Sequence, residues 1–545
     1  MKTNHLLIAL GLFTALLLAG CSSKEAPVPV VPESAHAGDL INLQPCTYEA
    51  GKIKYAADCG TLVVPENRNN PNSRLIALPV IRVRALDGGQ AEPIFFLIGG
   101  PGGSNMHFQN LEGLVDLHDF VLVGYRGVDG TVVLDCPEIS DAIRNAPGEL
   151  LGDAALQSYT GAGARCAERL QAEGVDLAGY TIAETIDDME AARVALGYDR
   201  INLLGESYGT RLEMIYEWMY PDSLYRVAMV AVNPPGHFLW EPHNIDAQLE
   251  DYAELCAQDA LCSARTSDLV ASMRHVSDNM PKRWLFIPIN KSAVKLLTFV
   301  MLMESIQPPG APVPLSGPAA IDMWLAAEKG DASGMALASI GRNLFLPNLF
   351  VFGELLSVGG SVDDFYNPTR DYRTELDPHD SILGSPFSLF DWSMGVRWPV
   401  NFIPKEYLKV QPTNVETLLI SGSIDFSTPP QFATEELLPH LRNGKQVILK
   451  DFGHTETFWN SQPQARVHML KTFFSTGEVD SSLYIYQPVN FDAGLGWPGL
   501  AKLLLGSVLA VIVLLVAVVW FVARRVRRHT TRGESDVSVA VPQIF

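Results

Sequence analysis

The chain has 545 residues, of which 47% are hydrophobic, and a formal net charge of -21 at pH 7. This length and composition allow a large buried core and exclude a disordered or fibrous protein. The negative charge repels phosphate backbones, and no basic stripe reverses it in the body of the chain, so we expect no nucleic-acid partner.

The first 21 residues predict export from the cytoplasm. Lys2 precedes an apolar stretch over residues 6–19 that ends in Leu18-Ala19-Gly20-Cys21, which is the pattern of a signal peptide. The small residues before Cys21 resemble a bacterial lipobox, in which this cysteine is lipidated. An ordinary cleaved signal or a short signal anchor is the alternative. Residues 22–40, rich in proline and small polar residues, are predicted to be a linker.

From residue 60 onward, apolar runs alternate with helical stretches and predict an α/β core. The predicted strands are residues 94–98, 120–123, 201–204, 227–232, 417–420 and 446–449. A helix is predicted over residues 185–196, because Thr185 and Asp188 are spaced like an N-terminal capping pair and Gly197 is a natural stop. This alternation indicates a mainly parallel sheet that helices cover.

The alternation stops in the middle of the chain. Residues 234–405 combine helical patterns with proline-rich turns, so we interpret them as a mainly helical cap inserted into the sheet domain. The core then consists of two parts, residues 41–233 and residues 406–478.

The segment Gly205-Glu206-Ser207-Tyr208-Gly209 carries the predicted chemistry. A Gly-x-Ser-x-Gly pentapeptide between a strand and a helix is a nucleophile elbow, whose sharp turn lifts the serine hydroxyl above the sheet. Here the pentapeptide follows an apolar strand and opens an amphipathic helix. Ser207 is therefore the predicted nucleophile.

A serine hydroxyl needs a base to remove its proton and an acid to orient that base. Asp425 and His454 each follow a later predicted strand, in the chain order serine, acid, histidine, so all three residues are expected at one edge of the sheet. We therefore predict a triad of Ser207, Asp425 and His454. Asp451 is the alternative acid, but its closeness to His454 in sequence does not provide an opposing loop.

Attack on a carbonyl places negative charge on its oxygen, which needs fixed N-H donors. The predicted donors are the N-H of Tyr208 and that of Gly102 or Gly103, in the glycine turn after residue 98. A phosphate-binding turn is the alternative for this glycine cluster, but it lacks the Gly-x-x-x-x-Gly-Lys pattern. The sequence has no His-Glu-x-x-His or Cys-x-x-Cys spacing, so we expect neither a metal nor another cofactor.

The cysteines fit an oxidising compartment. Without Cys21, the seven cysteines leave an even number. Proximity in sequence favours three disulfides: Cys46 with Cys59, Cys136 with Cys166, and Cys256 with Cys262. Buried free thiols are the alternative for some of them.

Near the C-terminus, residues 503–522 form an uncharged apolar run that is long enough to cross a bilayer as a helix. Four arginines begin the tail at residues 523–545, so the tail is predicted inside the cytoplasm and the body outside. Residues 479–502 are the expected juxtamembrane segment. We expect a bacterial inner-membrane protein, in contact with membrane lipid, with its catalytic domain on the periplasmic side. A buried core helix is the alternative.

Four motifs occur in chain order: Gly99-Gly100-Pro101-Gly102-Gly103-Ser104, Gly205-Glu206-Ser207-Tyr208-Gly209-Thr210, Gly422-x-x-Asp425-x-x-Thr428-Pro429 and Gly453-His454. Through them the chain resembles the proline iminopeptidase and tripeptidyl aminopeptidase family of α/β-hydrolases over residues 55–475. The resemblance implies the α/β-hydrolase fold and release of amino-terminal residues or short peptides. In such enzymes acidic cap residues hold the substrate's amino group. The possible counterparts here are Glu241, Glu250, Glu254 and Glu304.

The expected substrate is a peptide, and two other functions compete with a peptidase. One is an esterase or lipase of the same fold, which acts on an ester substrate and suits a membrane-anchored active site. The other is a catalytically silent envelope binding protein, which has no need of an intact Ser207, Asp425 and His454 set.

Overall fold

A computed structural model describes residues 30–533, except residues 90, 363, 364 and 366, and describes side chains up to residue 525. The predicted signal peptide, the proposed lipidation site Cys21 and most of the predicted linker lie outside the described residues. The end of the predicted cytoplasmic tail, residues 534–545, also lies outside them.

A nine-stranded sheet forms the centre of the described part of the chain, and a separate hairpin adds two short strands. The strands are β1 (Leu40–Ala50), β2 (Ile53–Pro65), β3 (Leu75–Val83), β4 (Ile94–Leu97), β5 (Phe120–Val123), β6 (Ile201–Glu206), β7 (Leu224–Val230), β8 (Arg283–Trp284), β9 (Ile287–Pro288), β10 (Thr413–Gly422) and β11 (Leu441–Leu449). The order in the sheet is β1-β2-β3-β5-β4-β6-β7-β10-β11. From β5 to β11 all neighbours are parallel, whereas β1, β2, β3 and β5 pair antiparallel.

Helices cover the sheet and build the cap. The helices before the cap are α1 (Pro137–Arg144), α2 (Asp153–Ala172), α3 (Ile182–Leu196) and α4 (Tyr208–Met219). The helices of the cap are α5 (Pro242–Gln258), α6 (Ala260–Ser263), α7 (Leu269–Asp278), α8 (Lys291–Leu302), α9 (Gly317–Glu328), α10 (Ser333–Phe345), α11 (Phe352–Gly360), α12 (Tyr372–Glu375) and α13 (Pro386–Gly395). The helices after the cap are α14 (Glu456–Asn460), α15 (Pro463–Thr476) and α16 (Gly496–Gly533). The predicted α/β fold with a mainly helical insertion is confirmed.

The parallel strands explain why the predicted site residues meet. Every residue of β4 and β5 is buried, as expected for strands with helices on both faces. Ser207, Asp425 and His454 follow β6, β10 and β11, which run in the same direction. The carboxyl ends of these strands therefore place the three residues at one edge of the sheet.

Two sequence expectations are corrected. The helix predicted from residue 185 begins at Ile182, because the hydroxyl of Thr181 accepts the N-H of Glu184 at 3.3 Å and caps it. The sheet also begins at Leu40, before the alternation at residue 60. β1 escapes prediction because most of its residues are exposed or half-buried and form no apolar run.

The six described cysteines form three disulfides. Cys46 is bonded to Cys59, Cys136 to Cys166, and Cys256 to Cys262. The first joins β1 to β2, and the second joins the start of α1 to α2. These are the pairs that proximity in sequence favours.

The chain divides into a compact body that ends at Trp497 and the segment from Pro498 onward. The stretch Gly496–Arg525 of α16 is long and apolar enough to cross a membrane. It includes all of the predicted residues 503–522.

Candidate active site

Ser207 lies at the turn between β6 and α4, in a backbone conformation that favours glycine. Its φ is 51° and its ψ is -120°, and such strain is typical of functional turns. A Cβ on Gly209 would lie 2.0 Å from the carbonyl oxygen of Leu97, and one on Gly205 would lie 2.5 Å from the carboxyl group of Glu213. Both glycines therefore let α4 begin directly against the sheet.

The three residues of the predicted triad come together. The Nε2 atom of His454 lies 2.8 Å from Oγ of Ser207, and its Nδ1 atom lies 2.7 Å from Oδ2 of Asp425. Asp425 and His454 are buried, whereas Ser207 is half-buried. A base thus lies between a hydroxyl and an acid, in the arrangement that nucleophilic catalysis by serine needs.

Asp425 is held by its own loop. The N-H groups of Ser427 and Thr428 donate to Oδ1 at 2.8 and 3.1 Å. The hydroxyl of Thr428 donates to Oδ2 at 2.6 Å and lies 3.3 Å from Nδ1 of His454. Burial would raise the pKa of Asp425, but His454 and the hydrogen bonds hold it below its usual value. Asp425 therefore stays ionised.

The imidazole of His454 has a defined role for each nitrogen. Because ionised Asp425 can only accept, Nδ1 donates to it, and Nε2 is left to accept the proton of Ser207. Burial would lower the pKa of His454, but the charges of Asp425, Glu304 and Glu206 raise it above its usual value.

The glycine turn differs from the expectation for Gly102 and Gly103. The N-H of Gly102 donates to the carboxyl group of Glu354, and the N-H of Gly103 donates to the carbonyl of Gly100 at 3.1 Å. Both predicted donors are therefore engaged elsewhere. Glu354, the acceptor for Gly102, is far away in sequence, so the glycine pattern alone could not predict this hydrogen bond.

Gly100 and Tyr208 remain as the candidate pair of oxyanion donors. Within the described residues, the N-H groups of Gly100 and Tyr208 have no hydrogen-bond acceptor. Gly99 precedes Gly100 and packs against the nucleophile, since a Cβ on Gly99 would lie 2.8 Å from Cβ of Ser207. The expectation for Tyr208 is kept, and Gly100 replaces Gly102 and Gly103 as the second candidate.

The two cap acids predicted to bind the substrate amine both have protein partners. Glu304 is buried, and its carboxyl group faces the start of α14. It accepts the N-H groups of Thr455, Glu456 and Thr457, each at 2.9 Å, and the hydroxyl of Thr457 at 2.8 Å. Glu241 accepts a hydrogen bond from Nη2 of Arg370 at 2.9 Å. The carboxyl group of Glu304 therefore has four protein donors, and that of Glu241 is paired with an arginine.

Three glutamates lie around the triad, Glu206 half-buried and Glu304 and Glu354 buried, and the sequence identified the role of none of them. Burial raises the pKa of Glu206 to about 7, that of Glu304 to about 7 and that of Glu354 to about 8. Glu206 accepts the indole N-H of Trp459. Of the three, only Glu206 could have been recognised from the sequence, because it is a charged residue directly between an apolar strand and the nucleophile.

Aromatic side chains of the cap and the core form one cluster beside the site. Trp240 lies 5.3 Å from Phe299, and Phe299 lies 4.8 Å from Phe426, which follows Asp425. Phe350 reaches the glycine turn, because a Cβ on Gly100 would lie 3.6 Å from its ring. In the described part of the chain, no group of three or more His, Cys, Asp or Glu side chains is placed to hold a metal ion.

Strand order and site together define a serine hydrolase of the α/β-hydrolase fold. A family model described as "TAP-like protein" matches residues 390–483, which include Asp425 and His454.

Two curated relatives match longer segments. The chain is 30% identical over 206 residues to the tripeptidyl aminopeptidase of Streptomyces lividans, which covers 34% of this chain and 38% of that protein. It is 28% identical over 278 residues to the serine protease Hip1 of Mycobacterium tuberculosis, which covers 46% of this chain and 51% of that protein. The matched segments thus span 38% and 51% of these relatives' length. In these segments the chain is similar to peptidases.

A solved structure aligns over most of the chain at low similarity. It is the 2-hydroxy-6-oxo-6-phenylhexa-2,4-dienoate hydrolase of Rhodococcus sp. strain RHA1, with a TM-score of 0.36 and 13% identity over 79% of this chain and 100% of that one. The assignment of the fold rests instead on the strand order described above.

Proposed function

We propose that this protein is a membrane-anchored serine aminopeptidase that releases amino-terminal residues or short peptides. The observation that carries the proposal is the imidazole of His454, which bonds Ser207 on one side and Asp425 on the other. The names of the two curated relatives support a peptide as the substrate.

The proposed reaction follows from these contacts. Nε2 of His454 takes the proton of Ser207 while Oγ attacks the carbonyl carbon of the scissile amide. The N-H groups of Gly100 and Tyr208 stabilise the oxyanion. Nε2 then donates its proton to the leaving amine, and the C-N bond breaks to leave an acyl group on Ser207. A water molecule, deprotonated by the same imidazole, releases the acid and returns Ser207 to its starting form.

Asp391 is the cap carboxyl group best suited to bind the substrate's amine. It is 4% exposed, one of its oxygens has no hydrogen-bond partner in the described structure, and burial raises its pKa well above the usual value. It lies one helical turn after Phe387 on α13, and the ring of Phe387 lies 6.0 Å from that of Phe350. An ammonium ion would supply the partner that this carboxyl group lacks.

Asp391→Asn tests this recognition. We expect KM for an aminoacyl amide to rise about tenfold, since a hydrogen-bonded charge pair is lost. The N-acetylated amide, which has no ammonium group, should be turned over unchanged. Glu241→Gln is the matched control and should alter neither KM. An equal effect of Asp391→Asn on both amides would reject the assignment.

A substrate panel separates the peptidase from its alternatives. The purified protein is incubated with aminoacyl and tripeptidyl amides, and with short-chain and long-chain esters. The proposal predicts amide cleavage with a higher KM when the amino group is blocked. Ester turnover with no amide cleavage would instead identify an esterase or lipase. No turnover of any substrate would favour a binding protein.

The proposed location is the inner membrane of a bacterial envelope, with the active site on the periplasmic side. The apolar α16 and the arginines after it support this orientation, and the three disulfides support an oxidising compartment. Protease added to intact spheroplasts should degrade the body and spare the C-terminal tail. Lipidation of Cys21 predicts an acylated N-terminal peptide in a mass spectrum.

A further inference from the structure

The connection between α8 and α9 lies directly against the segment that carries the proposed catalytic histidine. The carbonyl of Met303 accepts the N-H of His454 at 2.7 Å. The hydroxyl of Ser305 lies 3.3 Å from that of Thr457. Gly453 has no space for a side chain, because a Cβ there would lie 2.5 Å from the carbonyl oxygen of Met303. The cap thus contacts the residues on both sides of the imidazole.

Glu304 makes most of this contact. Its carboxyl group accepts four hydrogen bonds from residues 455–457. These include N-H groups at the start of α14, which have no partner inside the helix. Its own backbone carbonyl accepts the N-H of Gly317 at 2.8 Å, at the start of α9. Glu304 therefore joins the cap helices to the histidine segment, defined as residues 450–457.

We infer that Glu304 is a positioning residue, which fixes the imidazole of His454 against Ser207 and couples the state of the cap to the reactivity of the nucleophile. The inference rests on the proposed hydrolase function and deepens it. Two consequences follow, one geometric and one electrostatic.

The geometric consequence is a slower reaction when the hydrogen bonds to Glu304 are lost. Four of the hydrogen bonds that position the histidine segment go to the carboxyl group of Glu304, and such bonds are strongest when that group is ionised. Without them the imidazole is free to shift from Oγ of Ser207. A misplacement of about 1 Å can slow a reaction about a hundredfold.

The electrostatic consequence is a change in pH dependence. The ionisable groups that face His454 are Asp425, Glu206 and Glu304, and those that face Glu304 are His454 and Tyr252. A negative charge on Glu304 stabilises the imidazolium and so raises the pKa of His454. The reaction needs the neutral imidazole. If the charge on Glu304 is lost, the pKa of His454 falls, so the acid limb of the pH–rate profile should move to lower pH.

The test uses the full chain and the rate at which a fluorophosphonate labels Ser207, measured across pH. This rate depends on His454 but not on the natural substrate. We compare the wild type, Glu304→Gln, the milder Thr457→Val, and Glu217→Gln as the matched control. Glu217 is equally buried, lies on α4 and bonds Thr417 at 3.2 Å, away from the histidine segment.

For Glu304→Gln we expect labelling that is at least about tenfold slower, with an acid limb at lower pH. Thr457→Val should slow labelling to a smaller extent, because it removes one of the four hydrogen bonds, and should leave the acid limb near its wild-type position, because the carboxyl group of Glu304 remains. Glu217→Gln should show neither change. If Glu304→Gln does not fold, the labelling rate of Thr457→Val tests the positioning role of Glu304 instead.

The inference is overturned if Glu304→Gln, or Thr457→Val in its place, lowers the melting temperature and leaves both rate and acid limb unchanged. Glu304 is then a structural residue only. A wild type that is not labelled at Ser207 instead refutes the proposed hydrolase function, so the two failures are distinguishable.

Discussion

Ser207 and His454 lie 2.8 Å apart, yet different parts of the molecule hold the segments that carry them. The elbow, residues 205–209, is set by the core: the N-H of Ser207 donates to Val230 of β7 at 2.9 Å, and Gly209 packs on Leu97 of β4. The histidine segment is bonded to the cap, through Met303, Glu304 and Ser305.

The difference indicates that the cap does more than limit access to the site. The strained turn at Ser207 is built once the sheet has formed, because its neighbours belong to adjacent strands. The imidazole also needs a cap segment that lies 151 residues away in sequence. Changes in the cap should therefore reach the reaction through His454 and leave the elbow in place.

The largest effect is expected from Asp425→Asn, which changes the partner of the His454 imidazole. An asparagine in place of the carboxylate donates as well as accepts, so the imidazole takes the wrong tautomer. We expect kcat to fall about 10⁴-fold with little change in KM. Steady-state kinetics on the amide cleaved best by the wild type checks this. If kcat falls less than tenfold, a different residue is the acid, and Asp451→Asn tests whether Asp451 has that role.

A smaller effect is expected from Thr428→Val, in the loop that carries Asp425. The hydroxyl of Thr428 bonds Asp425 at 2.6 Å and lies 3.3 Å from Nδ1 of His454. Valine keeps the shape and removes this hydrogen bond, so kcat should fall about tenfold, for a loss of 1 to 2 kcal/mol. Thr428→Ser retains the hydroxyl and should restore most of the activity. No rescue by serine would contradict this explanation.

The smallest effect on activity is expected from Glu217→Gln, behind the elbow, where the change should appear in stability. Burial raises the pKa of Glu217 from 4.5 to about 8. The folded chain therefore keeps a proton that the unfolded chain releases, and stability falls as pH rises between these values.

Glutamine is neutral at every pH, so the decrease in melting temperature between pH 5 and pH 8 should be smaller in Glu217→Gln than in the wild type. Calorimetry at both pH values measures this difference. The exposed Glu250→Gln is the control and should behave like the wild type. Equal decreases in wild type and Glu217→Gln would show that Glu217 is already ionised in the fold.

The sequence predicts the triad because each member directly follows a strand that is recognisable as an apolar run. Ser207, Asp425 and His454 each lie within five residues of the end of β6, β10 or β11. Parallel strands then bring these loops together, whatever the cap does. Local pattern and sheet topology are sufficient for this part of the site.

The remaining parts depend on contacts that no local pattern records. Glu354, which lies 252 residues away in sequence, accepts the N-H of Gly102, so Gly100 becomes the candidate for the second oxyanion donor. Glu304 bonds the histidine segment, whereas an acidic cap residue was expected to bind the substrate's amine. β1 carries few buried residues and forms no apolar run, so its pairing with β2 was not predicted.

The most direct test of the central claim is to locate a fluorophosphonate adduct in the folded protein. After labelling and digestion, peptide mass spectrometry should find the adduct on Ser207. Asp425→Asn should show much slower labelling, and Ser207→Ala should show none. An adduct on a different serine, or no adduct in folded wild-type protein, would contradict the assignment of Ser207 as the nucleophile.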